Sequence, residues 1–193
     1  MASLMIHLII AEKYCKLHSV ENENEFIMGN LAPDMVEDKE QAHYVEDIDH
    51  KSYMDAVLNR VNLEKFCHYN ILSSDYTKGF FLHLITDYIF YNQYMSKISI
   101  LKEMDKNYEY AFVREYVYDE FDKLTGVLQK KYPDINTDIL PPRSKIAINK
   151  PLELFNENTV DNIIDFCANL NLTETFESVK NGNLKPLSYS AKN

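Results

Sequence analysis

Tryptophan is absent from this chain, and glycine is scarce, with four copies in 193 residues. So little glycine beside long apolar-periodic stretches disfavours a strand-and-turn architecture and favours helices. No GxGxxG, P-loop or GxSxG occurs, and no local motif supports a Ser/His/Asp or Cys/His site. Cysteine is limited to Cys15, Cys67 and Cys167, far apart and without a CxxC, which reads as reduced core thiols. Positive charge is in deficit: 20 Lys and Arg stand against 30 Asp and Glu, a net charge of −10. That balance excludes a nucleic-acid duplex as the main partner, because phosphate backbones need a basic footprint. It leaves open a small phosphorylated substrate held through a metal, since a bound cation reverses the local field. The opening MASLMIHLIIAEKYCK lacks a basic leader and a small-residue cleavage site, and its apolar run is too short for a transmembrane span. The expected location is the cytoplasm. No repeat or heptad interrupts the pattern.

What is present is a large apolar fraction, 46%, enough for the core of one domain spanning 1–193. The expected fold is all-α, a bundle of about six to eight helices. Residues 1–97 hold the polar chemistry, 105–180 supply supporting helices, and 181–193 form a tail. The stretch GFFLHLITDYIFY, residues 79–91, organises the rest. It is apolar on nearly every side, the mark of a buried helix. Within it His83 and Asp87 stand four apart, so an imidazole and a carboxylate share one helix face. A charged Asp buried there needs a partner or a metal.

In chain order, residues 3–18 read as a first helix with His7 inside its apolar segment. FIMGNLAPDM, residues 26–35, is punctuated by Gly29 and Pro33 as a turn or short irregular segment, with Asp34 in a Pro-Asp pair that suits a turn or a helix N-cap. HYVEDIDHK follows: His43 lies four residues from Asp47 and seven from His50, in a mostly acidic, solvated stretch. Residues 52–71 read as one or two short helices with His68 on the polar side. The central helix is expected over 75–97 and a long one over 105–131, where Asp119 adjoins the apolar patch between Tyr116 and Phe121. The proline-rich segment 132–151 has no helical period and is either packed over the domain or a mobile lid. Helices over 157–170, capped near Asn158 or Thr159, and over 173–180, stopped at Asn181–Gly182, precede a frayed tail.

Taken singly, His7 reads as a core histidine, and Asp34 and His43 as turn or surface residues. Joined to His83 and Asp87 they make three histidines and two carboxylates, the nitrogen and oxygen donors that zinc and related divalent ions take. The series His7, FIMGNLAPD, His43, GFFLHLITDYIF resembles the zinc-dependent phospholipase C-like family, small all-α proteins common in bacteria. The resemblance covers roughly residues 1–95. It implies a metal site between the N-terminal helix and the central helix, with His7, Asp34, His43, His83 and Asp87 as ligands and Asp34 as a bridging, catalytic carboxylate. The implied activity, phospholipase C- or P1 nuclease-like, is hydrolysis of a phosphate ester by a metal-activated water. The secreted three-zinc members also use an N-terminal Trp and a later His-x-x-x-Glu helix; this chain has no Trp and no histidine after His83. One or two ions, Zn2+ or another divalent metal, are what these residues support, with Asp119 as a substitute ligand. No histidine is followed by Asp, which disfavours an HD-type phosphohydrolase. The alternative is a non-catalytic metal-binding or interaction domain that keeps its ligands for stability.

Overall fold

A computed structural model of the chain describes residues 3–45 and 51–190. Every regular element among them is helical, arranged as an all-α bundle. The α-helices are α1 (Leu4–Leu17), α2 (Glu23–Met35), α3 (Lys39–Ala42), α4 (Tyr53–Leu58), α5 (Leu63–Tyr69), α6 (Asp75–Asp87), α7 (Ser99–Asn107), α8 (Tyr110–Lys131), α9 (Glu157–Ala168) and α10 (Leu172–Lys180). Eight run seven residues or longer; α3 and α4 are shorter. Among the described residues no helix is long and apolar enough to cross a membrane. One apolar core runs from α1 through α6, α8, α9 and α10 to Leu187. The three cysteines are free and buried in it, and burial pushes each thiol up to about 12.

The central helix forms as its sequence demands. Ser74 caps it: its Oγ accepts from the Thr77 amide, and its own amide donates to Thr77 Oγ1, both at 3.2 Å. After Asp87 the chain continues without a break as a π-helical turn, Tyr88–Tyr94, and a 3-10 turn, Met95–Lys97, so the expected span 75–97 is helical throughout. The segment expected as an irregular turn at 26–35 is instead the body of α2. Its glycine serves packing, not a turn. A Cβ on Gly29 would lie 2.8 Å from the Tyr76 carbonyl carbon of α6, and one on Gly79 would lie 2.9 Å from the Asn30 amide nitrogen of α2. The two glycines let α2 and α6 touch backbone to backbone, the most extensive helix contact in the fold. Pro33 sits in the last turn of α2, two residues before the helix stops, and that contact offsets the hydrogen bond its missing N–H forfeits.

Three other expectations change. The helix expected over 105–131 is split at Tyr108–Glu109, both extended, because α7 folds back to bury Leu101 and to offer Asp105 to the Tyr53 and Met54 amides at the start of α4. Asn156 caps α9, not Asn158 or Thr159. The tail is packed as far as the described residues reach: Leu187 is fully buried, and Gln93 bonds both its carbonyl and the Tyr189 amide. The proline-rich segment lies over α8, with the Ile148 amide on the Asp122 carbonyl at 3.0 Å and Leu140 buried. At its end, buried Glu120 accepts from the Glu153 and Leu154 amides at 2.9 and 2.7 Å and from Lys123 at 2.7 Å.

Asp75 fastens the start of α6 to the start of α2. Its buried carboxylate accepts from the Asn22 amide and from Lys78, both at 2.8 Å. The Lys78 bond holds the carboxyl below its ordinary value against the opposing effect of burial. A depressed folded-state value means the stabilisation is complete above the unfolded carboxylate pKa of about 3.9 and is lost as pH falls through the folded one. Asp75→Asn keeps an acceptor for Asn22 and removes the charge. It is expected to lower stability by about 1–2 kcal/mol near neutral pH. In urea titrations the gap to the parent protein should narrow steadily as pH falls below about 3.9; a gap that does not change with pH would show that the charge is irrelevant.

Candidate metal centre

Four segments deliver five polar side chains to one buried point. α1 carries His7, the last turn of α2 carries Asp34, the residue closing α3 is His43, and α6 carries His83 and Asp87. His7, His83 and Asp87 are fully buried, and Asp34 and His43 nearly so. His43 is aimed inward by a reversal of the chain: Tyr44 takes a left-handed φ of 60°, an uncommon backbone for a bulky residue. Its hydroxyl accepts from Asn70 at 2.8 Å and its ring edge meets Phe66, which hold that conformation.

Asp87 is central. Its Oδ1 lies 3.3 Å from His7 Nε2, and its Oδ2 lies 3.1 Å from His43 Nε2 and 3.8 Å from His83 Nε2. Asp34 Oδ1 lies 3.6 Å from His43 Nε2 and 3.9 Å from His83 Nε2. The His7 and His83 rings stack at 3.7 Å. Each oxygen of Asp87 therefore faces a different histidine, so the bridging geometry expected for Asp34 is met more closely by Asp87.

Backbone carbonyls fix two of the tautomers. His43 Nδ1–H donates to the Lys39 carbonyl at 2.6 Å, and His83 Nδ1–H donates to the Asn30 carbonyl at 2.7 Å. A carbonyl only accepts, so each Nδ1 carries a proton, and a ring in its neutral form presents a lone pair at Nε2. Those two Nε2 atoms face each other at 3.1 Å. Two lone pairs at that distance repel unless an electrophile, a proton or a metal ion, lies between them. Burial, and then His7, hold the His83 imidazole well below its ordinary pKa and so keep it neutral. Burial alone would raise the carboxyl of Asp87, but its contacts with the His43 and His7 imidazoles outweigh burial and hold it well down. The carboxyl of Asp34 is pushed up by burial and by the charge of Asp87. Among the described residues neither oxygen of Asp34 has a hydrogen-bond partner.

This donor set suits a divalent cation. Asp34, His43 and His83 form one group, and His7, His83 and Asp87 a second; either group could hold a metal ion. His83 has one nitrogen to offer, the other being bound to Asn30, so two ions would have to share the carboxylates. Asp34 also lines a cavity of about 490 Å³ with Lys39, Tyr118, Thr125, Arg143 and Ser144. Asp34 thus stands between the cluster and this cavity, with its carboxylate oxygens themselves buried.

Asp119 is not brought to the centre. It is half-exposed on α8 and pairs with Lys123 at 3.1 Å, which overturns its expected role as a substitute ligand. His68 is exposed as expected. Asp47, Asp49 and His50 lie outside the described residues. The contributions of Lys39 and Asn30 were not legible, because any residue supplies a carbonyl. In comparison with known proteins, no family model, curated protein or solved structure matches the chain.

Proposed function

We propose that this chain is a divalent-metal-dependent phosphoesterase of the helical phospholipase C-like type, with one or two zinc ions held by His7, Asp34, His43, His83 and Asp87. One observation carries the proposal: Asp34, buried and without a hydrogen-bond donor on either oxygen among the described residues, belongs to the cluster and also lines a cavity of about 490 Å³. A structural metal site is closed by its protein ligands, whereas a catalytic one keeps a position open to substrate. When bound, a divalent cation supplies Lewis acidity toward a phosphoryl oxygen and lowers the pKa of water toward neutrality. The chain's own residues do the rest. Lys39 and Arg143, in the cavity wall, offer positive charge to the anionic ester. Asp34 stands where it can hold a proton taken from the nucleophile. The Asn30 and Lys39 carbonyls keep the His83 and His43 lone pairs facing inward.

The test joins composition to turnover. Protein purified without chelator is expected to carry about one or two equivalents of a divalent metal by elemental analysis, the number a two-metal carboxylate clamp allows. It should hydrolyse at least one of p-nitrophenyl phosphate, bis-p-nitrophenyl phosphate and p-nitrophenylphosphorylcholine. Chelation should stop turnover and zinc should restore it. Bound metal with no turnover on all three would favour a structural centre, and failure to bind metal even on titration would end the proposal.

A further inference from the structure

A second cavity, of about 380 Å³, lies beside the cluster and is not explained by the ligands. It is lined by Arg60, Arg114, Tyr53, Tyr91, Tyr110 and Tyr118. Lys39, Glu40 and Arg60 line both this cavity and a crevice of about 10 Å³ that reaches His43. The cavity therefore neighbours the crevice that reaches His43. In a chain of net charge −10, three cations and one carboxylate share this wall. Such a local reversal draws anions.

Two buried polar groups in the wall lack hydrogen-bond partners among the described residues. Arg60 Nε is buried without a hydrogen-bond acceptor, and its guanidinium lies 5.8 Å from the centre of the Tyr91 ring. The Tyr91 hydroxyl is buried and also unpartnered. Burial and the Asp87 carboxylate raise its pKa, so it remains a donor. Buried donors without acceptors are destabilising unless a ligand satisfies them. Toward the surface the wall turns aromatic: Tyr53 and Tyr110 stand 5.8 Å apart, and Arg114 lies over Tyr118 at 5.2 Å. Tyrosine faces and stacked guanidinium groups suit a flat ring.

We propose that this cavity binds a phosphate monoester carrying a flat ring, with Arg60 and Tyr91 donating to the phosphate oxygens and Tyr53, Tyr110 and Tyr118 flanking the ring. The adjoining crevice, about 10 Å³, has no room for a second organic substituent, which favours monoesters over diesters. The assignment of this ligand as a substrate rests on the phosphoesterase proposal; its binding does not.

Calorimetry on the protein as purified tests it with three probes: phenylphosphonate, whose C–P bond resists hydrolysis, methylphosphonate and inorganic phosphate. Phenylphosphonate is expected to bind most tightly. Arg60→Gln should weaken it by about tenfold or more and Tyr91→Phe by a few fold, each with a melting temperature no lower than the parent's. Tyr110→Ala should erase the preference for the phenyl group, a check that survives if Arg60→Gln fails to fold. Phenylphosphonate affinity untouched by Tyr91→Phe and by a folded Arg60→Gln overturns the inference, as does equal affinity for all three probes. Arg60-dependent binding without turnover would sink the phosphoesterase proposal alone, and turnover that persists while phenylphosphonate binding proves independent of Arg60 and Tyr91 would sink this one alone.

Discussion

Asp34→Asn is expected to make the metal-free protein more stable and, under the proposed function, to abolish turnover. The carboxyl of Asp34 is raised by burial and by Asp87 and has no donor on either oxygen. A folded-state value above the unfolded one means that, without metal, the group favours folding only at low pH; that contribution is lost as pH rises through the folded value. Near neutral pH the buried charge is a burden, and an uncharged residue of the same shape removes it. Its amide could also donate to the lone pairs of His43 and His83. The variant should gain about 1 kcal/mol in chelator, the usual return when a strained functional group is neutralised. The gain should grow from acid to neutral pH. Losing a carboxylate should weaken metal retention and turnover by about a hundredfold or more, since even groups that only orient ligands are worth ten- to a hundredfold. Melting curves with and without chelator, read beside metal content, check both halves. A variant that melts lower in chelator, or keeps full metal and turnover, would remove Asp34 from the site.

Gly79→Ala is expected to damage fold and site together. Alanine gains about 1 kcal/mol of helix propensity over glycine. The added methyl, however, would overlap the Phe26 carbonyl oxygen and lie 2.9 Å from the Asn30 amide nitrogen. Both are backbone atoms and cannot rotate away, so α2 must move off α6. Overpacking of this kind costs about 3 kcal/mol. The displacement also pulls the Asn30 carbonyl from His83 Nδ1, now at 2.7 Å, and should reduce metal affinity by about ten- to a hundredfold. Gly182→Ala is the control. Nothing lies near a Cβ there, and only the positive φ of 73° opposes alanine, at about 1 kcal/mol. Urea titrations of the two variants should rank them clearly. Equal effects would mean that the helix contact is slack.

The parts of the fold that could be read from the sequence were those whose signal is local. His83 and Asp87 four apart in an apolar run fixed a shared helix face, and Asn181–Gly182 marked the end of α10, where Gly182 indeed takes a positive φ. Gly29 and Pro33 misled because a glycine required for close helix approach and one required for a turn look alike in one dimension. The break at Tyr108–Glu109 carries no proline or glycine, because Asp105 and Leu101 are claimed by partners distant in sequence. For the cluster, His7, Asp34 and His43 had no individual signal; their meeting depends on α2 packing along α6 and on the left-handed Tyr44. Arg60 and Tyr91 were invisible for the same reason, being ordinary residues until folding buries them unpartnered.

The π-helical turn after Asp87 works as a vernier. A π turn holds more residues than an α turn, so successive side chains are spread differently around the axis. Here four neighbours grip three separate pieces of the chain: Tyr91 meets Arg60 and Asn92 donates to the nearby Leu58 carbonyl, Gln93 holds Leu187 and Tyr189, and the Tyr94 hydroxyl accepts from the Asn156 amide. Shortening this stretch by a single residue would swing everything beyond it by about 100° and release all four grips at once. The phase of one helix turn thus ties the histidine pocket to the carboxy-terminal third of the molecule.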